Sequence, residues 1–403
     1  MEDKHVQHKT TNHKSQSSSM QSQSILSRPK PQAQLLLELT AISGEYPADN
    51  IPRLIPSASY AKKVVTVLTG DKLIKLVNKG GIKGYRLDVR GKKKLLAENR
   101  ARFDPYLDGA MDTNKLRSDQ PRRLRLHSAA EVYTMMLGAG VQIFKDTKPI
   151  IYRLDTSANP SQSALSQMNN EIAITIPCFY SSREQKGEDD KAIRASRAVG
   201  TLLTPTHVYA IYNTGSAESR WHDSVELRYR AEVQSYICRN LLRGQYKGAE
   251  VSGILIGEGL EILMKYLVAD AKTSAAHKFA TNTYHPFYFI TNDDYGKEQL
   301  KLLCDYKGMI ALKNLMSQRL YPPDPKAAID HDAITEDGNP VLFCCLMNIP
   351  RLVKFKTGLQ LHEKVGKVVA FDFQKEVLKQ YLGETVEHTT FSLEKVMQMI
   401  YPS

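Results

Sequence analysis

Residues 57–87 read SASYAKKVVTVLTGDKLIKLVNKGGIKGYRL, and the signals in this stretch decide the fold of the first quarter of the chain. Ser57 or Ser59 is a natural helix N-cap, because a hydroxyl there can accept from free backbone N–H groups. From residue 58 to 70, Val64, Val67 and Leu68 recur at three- and four-residue steps, the spacing of a core-facing helical stripe. Ser59, Tyr60, Lys62, Lys63 and Thr66 fall largely on the other side. Residues 73–77 then read as a strand, Lys79-Gly80-Gly81 as a turn and residues 84–87 as the returning strand. Working outward, residues 34–39 suggest a first helix closing before Gly44, and residues 50–55 a short second one ended by Pro56. Downstream, a helix over 89–102 opens on Arg90, Lys92, Lys93 and Lys94. Three helices followed by a hairpin is the order of a winged helix, which is the expectation for residues 32–103.

Charge is concentrated in the same place. Residues 32–103 carry fourteen Lys and Arg against six acids, about +8 of the chain's formal +12. The first thirty-one residues add about +3, and residues 104–403 are nearly balanced. A basic excess confined to one small module is the electrostatic footprint of a phosphate-backbone binder. It points to double-stranded DNA, with the third helix entering the major groove. Lys79, Lys83 and Arg86 on the wing, with Arg90, Lys92 and Lys93 behind it, would reach the backbone or minor groove. The alternative is a protein-interaction module whose lysines form a solvated face.

With 403 residues, the chain exceeds one typical domain. No apolar run approaches the length of a membrane span, and residues 1–31 lack the apolar core of a secretory signal. Those residues are rich in Ser, Gln, His and Lys, the composition of a disordered basic tail. His5, His8 and His13 are a metal-binding candidate there, against the simpler reading of a solvated tail. The five cysteines contain no Cys-x-x-Cys pair and fit reduced thiols in a cytoplasm rather than a disulfide framework or structural zinc.

Residues 104–126 have a loop-like composition and end in Arg117, Arg122, Arg123 and Arg125, a basic linker that would extend the phosphate contacts or simply be solvated. A helix is expected from 128 to 137. Beyond it, candidate strands at 150–154, 172–180, 207–212, 251–256, 287–290, 341–346 and 368–373 alternate with helical patterns at 190–203, 225–242, 260–271, 297–306, 310–317, 375–381 and 392–400. That alternation predicts a mixed α/β architecture, with one domain over 127–325 and a C-terminal lobe over 326–403 divided near Pro322-Pro323-Asp324-Pro325.

Most catalytic signatures are missing. There is no P-loop, and Gly257-Glu258-Gly259 is only a fragment of a dinucleotide fingerprint. No His-x-His pair or His-x-x-Arg element occurs to support a nicking or recombining tyrosine. One constellation remains: Asp155 and Glu171, then Glu184-Gln185-Lys186 after an apolar strand candidate. In restriction-type nucleases such carboxylates hold Mg²⁺, and the lysine stabilises charge at the scissile phosphate. The competing reading is an exposed ion-pair loop. No cofactor is expected, and Mg²⁺ only if this nuclease reading holds. Around Trp221, the helix carrying Glu226, Arg228, Arg230 and Glu232 reads either as part of a pocket or strand-end site or as a helix with i,i+4 pairs beside a buried aromatic.

Gly84-Tyr85-Arg86-Leu87-x-x-x-Gly91, then Arg125-Leu126-His127-x-Ala129-x-Glu131-Val132, Phe179-Tyr180-Ser181-Ser182-Arg183-Glu184-x-Lys186 and Ser196-Arg197-x-x-Gly200 follow in order over residues 32–260. This arrangement resembles the replication-relaxation proteins of plasmids and integrative elements. The resemblance implies a role in replicating or processing mobile-element DNA, together with replication or transfer proteins, and supplies no catalytic residues. A transcription regulator whose α/β half senses a ligand or forms a homodimer is the second expectation, and the Mg²⁺-dependent nuclease the third.

Overall fold

The hairpin at the centre of the opening stretch is closed by two glycines. The computed structural model describes residues 31–108, 119–152, 172–185, 193, 195–216, 222–268 and 283–402, so the expected tail lies outside the described residues. β2 (Ile74–Lys79) and β3 (Ile82–Leu87) pair antiparallel with Lys79 opposite Ile82. Gly80 and Gly81 sit at φ +61° and +77° between them, a turn whose two left-handed residues match the twist of the strands. A two-residue strand, β1 (Tyr46–Pro47), lies on the far side of β3 and makes it the central strand.

Helices α1 (Gln32–Ser43), α2 (Ile51–Leu54) and α3 (Ala58–Gly70) precede the hairpin in the expected order. Ser57 caps α3, accepting from the Tyr60 N–H. The buried stripe of α3 is Ala61, Val64 and Leu68, whereas Val67 is half exposed. Seven-residue spacing from 61 to 68 keeps the small alanine inward and turns Val67 onto the flank. The single helix expected over 89–102 is two, α4 (Val89–Glu98) and α5 (Arg100–Leu107). Asn99 interrupts it, because its side chain accepts from the Arg102 N–H and starts the second helix afresh.

The expected linker is corrected more strongly. α5 runs through Pro105 to Leu107, and α6 (Gln120–Gly138) begins eight residues before the helix anticipated at 128. Asp119 caps α6 and Pro121 occupies its first turn, where a missing N–H costs nothing. α6 therefore belongs to both halves of the molecule. Thr134 bonds Tyr46 and Asn50 on one side, and Tyr133 packs edge-on against Phe179 on the other.

The larger half is mixed α/β. β4 (Cys178–Ser181), β5 (Gly200–Leu203), β6 (Val208–Gly215), β7 (Ser252–Gly257) and β8 (Phe287–Thr291) form one sheet in sequential order. The first two joints are antiparallel and the last two parallel. β6 returns to β7 through α7 (Asp223–Val233) and its π-helical continuation Gln234–Leu241; α8 (Leu260–Val268) follows β7. β5 occupies residues expected to end a helix. All four of its residues are buried, so the chain there shows no alternation to betray a strand.

A second sheet has the order β12 (Val386–Phe391), β11 (Gly366–Phe371), β10 (Pro340–Phe343) and β9 (Ala333–Ile334), parallel except at β9. Around it pack α9 (Asp294–Cys304), α10 (Tyr306–Met316), α11 (Ile349–Leu361), α12 (Lys375–Leu382) and α13 (Leu393–Ile400). The Phe289 N–H donates to Met347 O at 2.9 Å, tying the edge of the first sheet to the second, and residues 32–403 make one compact unit. All five cysteines are buried and unbridged. Among the described residues no helix is long and apolar enough to cross a membrane.

Candidate nucleic-acid interface

Two populations of cations occupy the basic module, separated by what they touch. Ser59, Tyr60, Lys62, Lys63 and Thr66 all lie on the exposed side of α3, as do Lys79 and Lys83 on the hairpin. Arg90 and Lys93 are exposed on α4, and Lys92 is half-buried. Among the described residues, Lys62, Lys63, Lys79, Lys83, Arg90 and Lys93 make no ion pair, so their charge is open to solvent. Lys62 and Lys63 lie on a helix without a single acid, and the Thr66 hydroxyl is turned back onto Lys62 O at 2.9 Å.

Arg86 belongs to the other population, and its expected wing contact with DNA is overturned. As part of the central strand it is 6% exposed, and its Nε lies 2.8 Å from Glu45 Oε2. Glu45 is itself fully buried and gathers two further partners from α6: Arg123 Nη2 at 2.5 Å and His127 Nε2 at 2.8 Å. Burial alone would raise the Glu45 carboxyl, but hydrogen bonds from His127, Arg123 and Arg86 hold it down at about 2. Arg123 also donates to Lys79 O and Val77 O, each at 2.8 Å, and so clamps the end of β2 to α6. Neither expectation for Arg123, phosphate contact or solvated connector, survives this. Gly84 completes the arrangement, since a Cβ there would lie 2.4 Å from Glu45 Oε1 and 2.6 Å from His127 Nε2.

Sequence reasoning missed this hub although a signal existed. Arg123 and His127 are four residues apart, one face of a helix, and Glu45 follows an apolar helix that offers it no cation of its own. A loop assignment over 104–126 hid the first half of that pattern.

Of the nuclease constellation, Asp155, Glu171 and Lys186 lie outside the described residues. Glu184 is 6% exposed and already engaged: Lys148 Nζ stands 2.8 Å from its Oε1, and the Ser181 N–H and hydroxyl donate to Oε2 at 2.9 and 3.0 Å. Lys148 donates as well to Phe179 O and Ile143 O. This carboxylate closes the turn after β4 and neutralises a buried lysine. It is a buried pair, not the exposed ion-pair loop expected. Among the described residues no three of His, Cys, Asp and Glu gather to hold a metal.

The helix expected to carry i,i+4 pairs is likewise held by other partners. Glu226 is 1% exposed and accepts from Ser196 Oγ at 2.6 Å, the Arg197 N–H at 3.0 Å and Tyr212 OH at 3.0 Å. Arg230 pairs with Glu250 instead of its helical neighbours, and Trp221 lies outside the described residues. These contacts hold the helix to the sheet. No family model, curated protein or solved structure matches the chain significantly.

Proposed function

We propose that the protein binds double-stranded DNA through residues 32–103 acting as a winged helix. In this reading α3 lies in the major groove and the β2–β3 tip follows the backbone. One observation carries the proposal: among the described residues six exposed cations, Lys62, Lys63, Lys79, Lys83, Arg90 and Lys93, make no ion pair, on a module whose Arg86 and Arg102 are instead bound internally. Evenly distributed surface lysines would instead be interspersed with acids. Clustered free cations raise the local potential and reward contact with a polyanion. The side chains beside them on α3, Ser59, Tyr60 and Thr66, are of the kinds that bond phosphates and base edges.

The resemblance to replication-relaxation proteins adds the setting, a cytoplasmic role in replicating or processing plasmid or integrative-element DNA alongside replication or transfer proteins. The engaged state of Glu184 gives the nuclease reading no support.

A salt titration of duplex binding by the full chain tests the proposal. Affinity should fall steeply as salt rises, with log K against log salt sloping by about −0.9 for each phosphate neutralised. Replacing Lys62, Lys63, Lys79 and Lys83 together by alanine should flatten that slope and weaken binding at least about tenfold. Binding that ignores salt, or that survives the fourfold substitution unaltered, overturns it.

A further inference from the structure

The outward side of α3 offers more than charge. Val67 is 51% exposed and Tyr60 42%, and their seven-residue spacing puts them on one flank of the helix. Thr66, next to Val67, is exposed as well, and its hydroxyl donates to Lys62 O at 2.9 Å. A threonine Cβ carries one hydroxyl and one methyl in staggered positions, so a hydroxyl turned back along the helix leaves the methyl outward. The side chain has spent its one proton inside α3 and has no donor left for a ligand. What Thr66 and Val67 present together is hydrocarbon.

One turn further along, Gly70 shares the outward face with Thr66. A Cβ at Gly70 would meet nothing within 4 Å outside its own helix, and the left-handed residue just past the helix end is Lys72 at φ +57°. Neither packing within the chain nor backbone geometry therefore calls for glycine at this position. Its bareness instead lets a partner approach the backbone beside the two apolar groups.

In the major groove of a duplex the base edges carry hydrogen-bonding groups and one methyl, at C5 of thymine. We propose that Thr66 and Val67 read thymine, packing their methyl groups on its 5-methyl. This contact rests on the DNA-binding reading above and names what that reading leaves open, the kind of base that α3 selects. Lys62 and Lys63 attract any duplex through its phosphates, whereas Thr66 and Val67 discriminate among duplexes. Uracil differs from thymine by the absent methyl alone, and cytosine lacks it too. Burying one such group against two apolar side chains is worth about a fourfold change in affinity.

The test begins with random-sequence duplexes bound to the full chain at one fixed salt concentration. The duplex retained most tightly is resynthesised with each thymine in turn replaced by deoxyuridine. Replacement at one or two positions should weaken binding about fourfold, and elsewhere it should change nothing. Thr66→Ser combined with Val67→Ser, both exposed and away from the buried stripe, should bring the thymine and uracil duplexes level. Thr66→Val, which keeps the methyl and loses the hydroxyl, should retain the difference, and so should Lys63→Ala. Wild-type protein that binds every uracil duplex as tightly as the thymine parent, or that selects no sequence, overturns the contact and leaves salt-dependent binding in place. A thymine preference that survives the double serine substitution overturns it too. Wild-type protein that holds no duplex at any salt concentration defeats the DNA-binding reading itself, and the thymine contact with it.

Discussion

Glu45 and Glu131 are two carboxylates at the same helix, the first fully buried under the hairpin and the second half-buried at the strand ends, and their surroundings push them in opposite directions. Glu45 meets Arg86, Arg123 and His127, and its carboxyl falls to about 2. Glu131 meets two asparagine amides, and its carboxyl rises. The two sites follow one another along one face of α6, His127 and Glu131 being one helical turn apart. Burial is the largest influence at both and acts in the same sense. What separates them is whether arginines or amides bond the carboxylate directly. The first arrangement is a fastening, self-sufficient without a ligand. The second gives its carboxylate only amide N–H groups at hydrogen-bond distance.

The largest effect should come from breaking the first site. Arg123→Ala removes three contacts at once: the ion pair to Glu45 and the bonds to Lys79 O and Val77 O. Taking one partner from a buried ion pair costs about 3–5 kcal/mol, because the other charge stays buried. Chemical denaturation should register that loss, and amide exchange should show the β2–β3 hairpin opening first. A loss below about 1 kcal/mol would mean the cluster is no fastening and would dissolve the contrast with Glu131.

Acid separates the two carboxylates by sign. Glu45 has its folded value depressed, so its stabilisation is complete above about 4.5 and is lost as pH falls from there towards about 2. Glu131 has its folded value raised, so its ionisation weighs against the fold at neutral pH and is relieved as pH drops through that raised value towards 4.5. Urea midpoints measured from neutral pH down to about 3 should lose part of their acid slope in Glu45→Gln, while Glu131→Gln removes an opposing slope at higher pH. At neutral pH the second substitution should change stability by less than about 1 kcal/mol. Slopes of the same sign in both variants would show that the amides compensate as well as the cations do.

How far the sequence could be read follows the same division between local and remote causes. α3 was legible to its end residues, since Ser57, the apolar steps and Gly70 are all local signals. The Gly80-Gly81 turn was legible for the same reason. Arg86 was not, because whether a strand arginine faces water or a carboxylate depends on Glu45, forty-one residues away. α6 was obscured by Pro121 and the arginines around it, which imitate a linker until Asp119 is recognised as a cap. β5 and the Glu226 network failed on burial: a strand covered on both faces has no period, and a helix acid satisfied by Ser196 and Tyr212 looks in sequence like one half of a surface pair. The uneven distribution of charge was visible from composition, but composition does not distinguish bound cations from free ones.

That distinction sets the smallest expected effect on stability and the most direct one on function. Lys63 is exposed on α3 and, among the described residues, has no ionic partner, so Lys63→Ala should leave the unfolding free energy within about 0.5 kcal/mol. If Lys63 meets a phosphate, the same substitution should lower the salt slope of duplex binding by about 1 and weaken all sequences alike. A change confined to particular sequences would move Lys63 from the backbone to a base edge. No change at all would place the duplex elsewhere on the module and leave its free cations without the role argued for them. The Arg123→Ala protein should behave in the opposite way, losing stability heavily while the exposed lysines of α3 keep their electrostatic attraction, because the cation removed there faces inward to Glu45 rather than outward to a ligand.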